Sequence, residues 1–67
     1  AARDDESRHI NRVLQELPFE QYEVLILKFY HDMPYEEIAQ MLGAPVKTCQ
    51  SRYRYALEKL REKLKNV

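Results

Sequence analysis

The chain has 67 residues, of which 11 are basic and 11 acidic, so its net charge is zero. A chain of this length forms one small domain and leaves no room for a catalytic cleft of ordinary size. The single cysteine excludes an internal disulfide, and no apolar run approaches the roughly 18 residues of a membrane span. We therefore expect a cytoplasmic protein that is not an enzyme and has no small-molecule substrate. The chain starts with Ala-Ala rather than Met, which suggests a piece of something longer.

Two helices are predicted in the first half of the chain. The first, over residues 1–16, is indicated by the 3,4 spacing of Ile10, Val13 and Leu14, which Leu17 continues directly after it. The second, over residues 18–32, is apolar almost all round, which predicts a buried central helix. A strand is the alternative for its VLIL run, but the flanking FEQYE and KFYHD are not strand-like.

Two further helices follow, over residues 35–43 and 46–65, at the spacing of a helix-turn-helix. The only glycine, Gly43, lies where a helix needs a left-handed residue after its last turn. Pro45 cannot continue the first of these helices and suits the start of the next. No strand signal competes, so we expect an all-α four-helix domain with a C-terminal helix-turn-helix and no wing. The alternative is two packed bundle helices with an ordinary polar outer face.

The fourth helix separates apolar and polar side chains. Its apolar seam begins with Val46, Cys49 and Tyr53 and should face the core. The remaining side chains of its first turns are rich in hydrogen-bond donors: Lys47, Thr48, Gln50, Ser51 and Arg54. A recognition helix reaches base edges in the major groove with these turns. We therefore expect duplex DNA as a partner.

The charges are segregated along the chain although they cancel in total. Residues 1–45 hold four basic and nine acidic residues, a net charge of −5, and residues 46–67 hold seven and two, a net charge of +5. A basic segment that starts with the predicted recognition helix is typical of a phosphate-binding surface. Cations in its last turns are weaker support, because the helix dipole favours them there anyway.

Neither the histidines nor the cysteine indicate a metal, redox or catalytic site. His9 and His31 have no partner at metal-ligand spacing, and no metal or other cofactor is expected. Cys49 lies on the apolar seam, where a buried, reduced thiol is the default. Glu36 and Glu37 are adjacent in a helix, so they point about 100° apart and suit its positive N-terminus rather than catalysis.

The block LPFEQYEVLILKFYHDMPYEEIAQMLGAPVKTCQSRYRYALEKLREKL resembles region 4 of the sigma-70 family, most closely the extracytoplasmic-function (ECF) group of bacterial sigma factors. That group reads approximately LPxxxREVxxLRxxxGLSYEEIAEILGxPxGTVKSRLxRAxxxL. The most specific matches are Leu17-Pro18, the YEEIAQMLG block, and Ser51-Arg52 followed by Arg54 and Ala56. The sequence departs from the pattern at Lys47, where Gly is usual, and at Gln50, where Lys is usual.

The resemblance implies a transcription initiation domain that recognises the minus-35 promoter element and binds the β-subunit flap of the RNA polymerase core. The groove-facing residues would be Lys47, Thr48, Gln50, Ser51 and Arg54, with Arg52 as a phosphate contact. Tyr55 could donate to a phosphate or remain solvated, and Tyr53 is expected in the core rather than stacked on a base. The alternative function is a sigma-like interaction module held by an anti-sigma factor or another regulator.

Overall fold

The computed structural model describes the backbone of residues 2–65 and the side chains of residues 8–65. Four helical segments follow one another: α1 (Ala2–Glu16), α2 (Phe19–Leu25, continuing as a π-helical segment over Ile26–Tyr30), α3 (Tyr35–Leu42) and α4 (Val46–Lys65). Among these residues there is no strand, and the all-α prediction is confirmed. Position 1 of the range proposed for the first helix lies outside the described residues.

Helix α2 is shorter than the range 18–32 expected from sequence. Pro18 precedes the helix with extended backbone (ψ 144°), and its carbonyl accepts the amides of Gln21 and Tyr22. At its C-terminal end the backbone hydrogen bonds change to the wider π-helical pattern, in which each amide bonds to the carbonyl five residues earlier. The His31 amide thus donates to the Ile26 carbonyl at 3.3 Å. Asp32 then takes a positive φ of 52°. This left-handed residue turns the chain away before Pro34, so the helix ends at Tyr30.

The core consists of two buried clusters. Leu14, Leu17, Leu25 and Ala56 join α1, α2 and α4, whereas Val24, Ile38 and Cys49 join α2, α3 and α4. Tyr53 is half-buried and packs against both clusters. Because α4 contributes to each, it fixes the helix-turn-helix to the rest of the domain.

The prediction of a buried central helix holds for only one side of α2. Val24 and Leu25 are buried, but Phe19, Phe29 and Tyr30 are 73%, 63% and 60% exposed. The three other helices cannot surround α2 in a domain of this size, so one of its apolar sides remains open. Leu57 and Leu64 of α4 are also partly exposed, each at 37%.

Among the described side chains, one ion pair joins the C-terminal ends of α1 and α4. The Lys63 Nζ of α4 donates to Glu16 Oε2 of α1 at 2.6 Å, and both side chains are exposed. The hydrogen bond, followed by the positive charge of Lys63, lowers the pKa of Glu16 below its ordinary value of 4.5. The pair therefore adds an ionic contact to the packing of α1 on α4.

Candidate nucleic-acid interface

The turn between α3 and α4 depends on Gly43. This residue has φ 67° and ψ 35°, which is the left-handed conformation that glycine adopts most readily. Its amide and that of Ala44 donate to the Ala39 carbonyl, the second at 3.1 Å, and so satisfy an acceptor at the end of α3. Helix α4 then begins at Val46, and the Cys49 amide donates to the Pro45 carbonyl at 3.1 Å. Backbone hydrogen bonds thus stabilise the turn on both sides of Gly43.

Buried contacts set the rotation of α4 about its own axis. Cys49 and Ala56 are both fully buried, and Cys49 packs with Ile38 of α3 and Val24 of α2. Successive residues of an α-helix turn by about 100°, so burial of these positions directs residues 47, 50, 51 and 54 away from the core. We call Lys47, Gln50, Ser51 and Arg54 the outer face of α4.

The seven side chains predicted to bind DNA lie on one continuous helix, but they differ in accessibility. Four are exposed: Lys47, Gln50, Arg54 and Tyr55. Three are half-buried: Thr48, Ser51 and Arg52. Arg52 lies toward the edge of the packed side, which suits a stem against the protein and a guanidinium at the rim. The structure therefore brings the predicted residues together on an open side of α4 and its border.

Arg54 is held by an aromatic neighbour. Its guanidinium carbon lies 5.3 Å from the centre of the Tyr55 ring, within the range of a cation–π contact. In the part of the chain that the structure describes, Arg54 has no carboxylate partner. Its donors thus stay available to an external acceptor while stacking restricts the side chain.

Tyr53 faces inward rather than toward solvent. It is half-buried and meets the Tyr35 ring edge-on, with ring centres 6.3 Å apart. This contact connects the start of α3 to the middle of α4 and adds to the packing of the motif. The position agrees with the expectation of a core residue rather than a base-stacking one.

Sequence reasoning missed Lys28, which brings a cation to the helix-turn-helix from α2. The Lys28 Nζ lies 4.6 Å from the centre of the Tyr35 ring, where Tyr35 begins α3. Burial, followed by the neighbouring Tyr53 and Cys49, raises the pKa of Tyr35 above its ordinary value of 10.0, so the phenol stays protonated. The only signal in the sequence was that Lys28 is the one Lys or Arg between residues 13 and 46.

A separate apolar surface lies beside the packed side of α4. Side chains of α1, α2 and α4 line a cleft of about 210 Å³: Ile10, Leu14, Leu25, Phe29, Tyr30, Leu57 and Leu60. Phe29 and Tyr30 contribute an edge-on aromatic pair with centres 5.3 Å apart. We call this the apolar cleft. Exposed aromatic rings next to an apolar depression are typical of a protein-binding surface.

Two other kinds of site find no support among the residues that the structure describes. No three His, Cys, Asp or Glu side chains of the described part come together as metal ligands. None of the helices there has the length and hydropathy to cross a membrane.

Known proteins show similarity to most of the chain. The family described as Sigma-70, region 4 matches residues 7–60. The RNA polymerase sigma factor SigV of Bacillus subtilis (strain 168) is 34% identical over 55 residues, which make up 82% of this chain and 33% of that protein. The chain thus spans about a third of the length of this curated relative. No solved structure gives a significant match.

Proposed function

The chain belongs to the sigma-70 region 4 family, and we propose that it recognises the minus-35 promoter element in duplex DNA as part of a bacterial sigma factor of the ECF type. The observation that carries the proposal is the outer face of α4, where exposed donors follow a turn closed by Gly43. A recognition helix of this kind enters the major groove with its first turns. Residues 1–67 would act as one such domain.

The chemistry of the outer face suits base edges. Arg54 and Lys47 can donate to guanine O6 and N7, and Gln50 can pair with adenine N6 and N7. Thr48 and Ser51 can serve either a base or a phosphate. The Tyr55 hydroxyl, at the border of this face, and Arg52, half-buried toward the packed side of α4, would contact phosphates.

Lys28 extends the proposed phosphate-binding surface beyond α4. Its ammonium lies over Tyr35, at the start of α3, the helix that crosses the DNA backbone in a helix-turn-helix. A cation fixed there can neutralise one phosphate. Lys28 is therefore a candidate contact contributed by α2.

The apolar cleft is the proposed contact with RNA polymerase. It lies on α1, α2 and α4, apart from the outer face of α4, so that polymerase and DNA could bind together. We assign the β-subunit flap as its partner by the family resemblance, and the cytoplasm as the place of action. Initiation of transcription would be a property of the longer protein that contains this domain, because the chain covers only a third of its relative.

The apolar cleft also favours a second candidate function. An anti-sigma factor or another regulator could occupy the cleft, and the domain would then serve to be held rather than to read DNA. The outer face of α4 distinguishes the two functions. A module that only binds proteins gains nothing from an unpaired, exposed Arg54, whereas a DNA-binding domain needs it.

A nuclear magnetic resonance titration tests the DNA proposal. The ¹⁵N-labelled domain is titrated with a duplex carrying a GGAAC-type element and with a scrambled duplex, at low and moderate salt. We expect shifts concentrated on residues 47–55 and larger with the GGAAC-type duplex. Absence of shifts at both salt concentrations would refute DNA binding, and titration with the β-subunit flap or a candidate anti-sigma factor would then test the alternative.

Substitution of Arg54 separates base contact from phosphate contact. Arg54→Ala should weaken binding to the GGAAC-type duplex by roughly 1–3 kcal/mol and reduce the preference over the scrambled duplex. Arg52→Ala should weaken both equally and reduce the salt slope by about one unit. Lys65→Ala, in the last turn of α4, is the matched control and should change neither preference nor affinity by more than a small factor. Equal weakening by Arg54→Ala on both duplexes would make Arg54 a phosphate contact.

A further inference from the structure

Arg54 has two candidate partners on its own helix, and it takes the aromatic one. Glu58 follows it by four residues, a spacing that permits an ion pair, and Tyr55 is its direct neighbour in the chain. The Arg54 guanidinium carbon lies 5.3 Å from the centre of the Tyr55 ring. Among the described side chains, Arg54 and Glu58 form no ion pair. The ring therefore sets the direction of Arg54, although a carboxylate lies one helical turn away.

The contact with the ring leaves the hydrogen-bond donors of Arg54 free. A guanidinium carries five N–H donors in its own plane, and attraction to an aromatic face does not require any of them. An ion pair with Glu58 would instead occupy one or two of these donors. Arg54 and Tyr55 are both exposed, Tyr55 at 49%. A base edge can therefore reach the guanidinium without any change on the packed side of α4.

We propose that Tyr55 is a positioning residue for DNA recognition: its ring orders Arg54 in advance for a base contact and so raises the sequence preference of the domain. This inference rests on the function proposed above. A mobile arginine loses side-chain entropy when it makes a bidentate contact to guanine, whereas an arginine already held by a ring loses less. The gain arises only where a base offers both acceptors, so it favours the recognised element over other sequences.

The ring and the hydroxyl of Tyr55 have different effects on binding. A hydroxyl that donates to a phosphate strengthens binding to every duplex alike, because phosphates carry no sequence information. A ring that orders Arg54 strengthens binding mainly to the duplex whose base Arg54 reads. The ratio of the dissociation constants for the scrambled and GGAAC-type duplexes therefore reports on the ring. The affinity for the scrambled duplex alone reports on the hydroxyl.

The test measures both dissociation constants by fluorescence anisotropy for the wild type, Tyr55→Leu and Tyr55→Phe. Tyr55→Leu should lower the preference for the GGAAC-type duplex by roughly 2- to 5-fold, the factor that an exposed cation–π contact can supply. Tyr55→Phe keeps the ring and should keep the preference, even if both affinities fall together. Phe19→Leu is the matched control, because it removes a ring that is 73% exposed at the start of α2, and it should change neither constant.

A double variant shows whether the ring acts through Arg54. When Arg54→Ala is already present, adding Tyr55→Leu should lower the preference no further. A second decrease of similar size would mean that Tyr55 contacts bases itself, and the inference would be wrong.

Three other results would overturn the inference. An unchanged preference in Tyr55→Leu would show that the ring does not position Arg54, and a higher one would show that the ring competes with DNA for it. Equal loss of preference in Tyr55→Phe and Tyr55→Leu would assign the effect to the hydroxyl. If Arg54→Ala alone leaves the preference unchanged, Arg54 reads no base, and the inference fails while the proposed function stands. The proposed function fails if the wild type binds neither duplex, and the inference then fails with it.

Discussion

Replacing Gly43 with alanine tests whether the helix-turn-helix depends on a left-handed residue at its turn. A Cβ at this position would meet no atom within 4 Å, so crowding contributes nothing to the cost. What remains is the conformational cost of a side chain at φ 67°, roughly 1–2 kcal/mol. Alanine also restricts the unfolded chain, which offsets about 0.4–1 kcal/mol. The net loss of stability should be about 1 kcal/mol.

Thermal unfolding monitored by circular dichroism measures this loss. For a domain of this size, about 1 kcal/mol corresponds to a decrease in Tm of about 4–8 °C. Gly43→Asn is the matched control, because asparagine tolerates the left-handed region better than alanine and should recover part of the loss. A Gly43→Ala variant as stable as the wild type, or an asparagine variant less stable than the alanine one, would refute the reasoning.

Two further predictions concern the core and the ion pair. Ile38→Ala empties a fully buried position between α2 and α4 and should cost about 2–5 kcal/mol in urea unfolding, whereas Met41→Ala, 62% exposed on the same helix, should cost little; equal losses would contradict the assigned core. Lys63→Gln removes the pair that lowers the pKa of Glu16. Because the pKa of Glu16 is lower in the folded state, the pair stabilises the fold above pH 4.5 and is lost as the pH falls through the folded value. The stability difference between wild type and Lys63→Gln should therefore shrink in acid, and a difference independent of pH would exclude the pair as its cause.

The helix-turn-helix was predictable because several local signals coincide in it. Gly43 and Pro45 mark the turn, and the 3,4 spacing of Val46, Cys49 and Tyr53 identifies the inner side of α4. Each of these signals acts within a few residues, so neither the burial of Cys49 nor the left-handed Gly43 required knowledge of the rest of the fold.

The exposure of α2 was not predictable in the same way. An apolar surface that awaits a partner has the same composition as a core, so Phe29 and Tyr30 could not be distinguished from buried residues by sequence. The contact of Lys28 with Tyr35 depends on how α2 packs on α3 and has no periodic signal. The π-helical segment at Ile26–Tyr30 likewise leaves no pattern that a 3.6-residue period would reveal.

The division of α4 into a packed side and an outer face bears on how such a domain diversifies. Cys49 and Ala56 hold the helix in place and are fully buried, whereas Lys47, Gln50 and Arg54 are exposed and can be exchanged with changes in stability of usually less than about 0.5 kcal/mol. If the outer face reads DNA as we propose, mutations that alter the recognised sequence are largely separate from mutations that threaten folding. Under that proposal, duplicated copies of the domain acquire new DNA targets by single substitutions on a scaffold whose buried residues are unchanged.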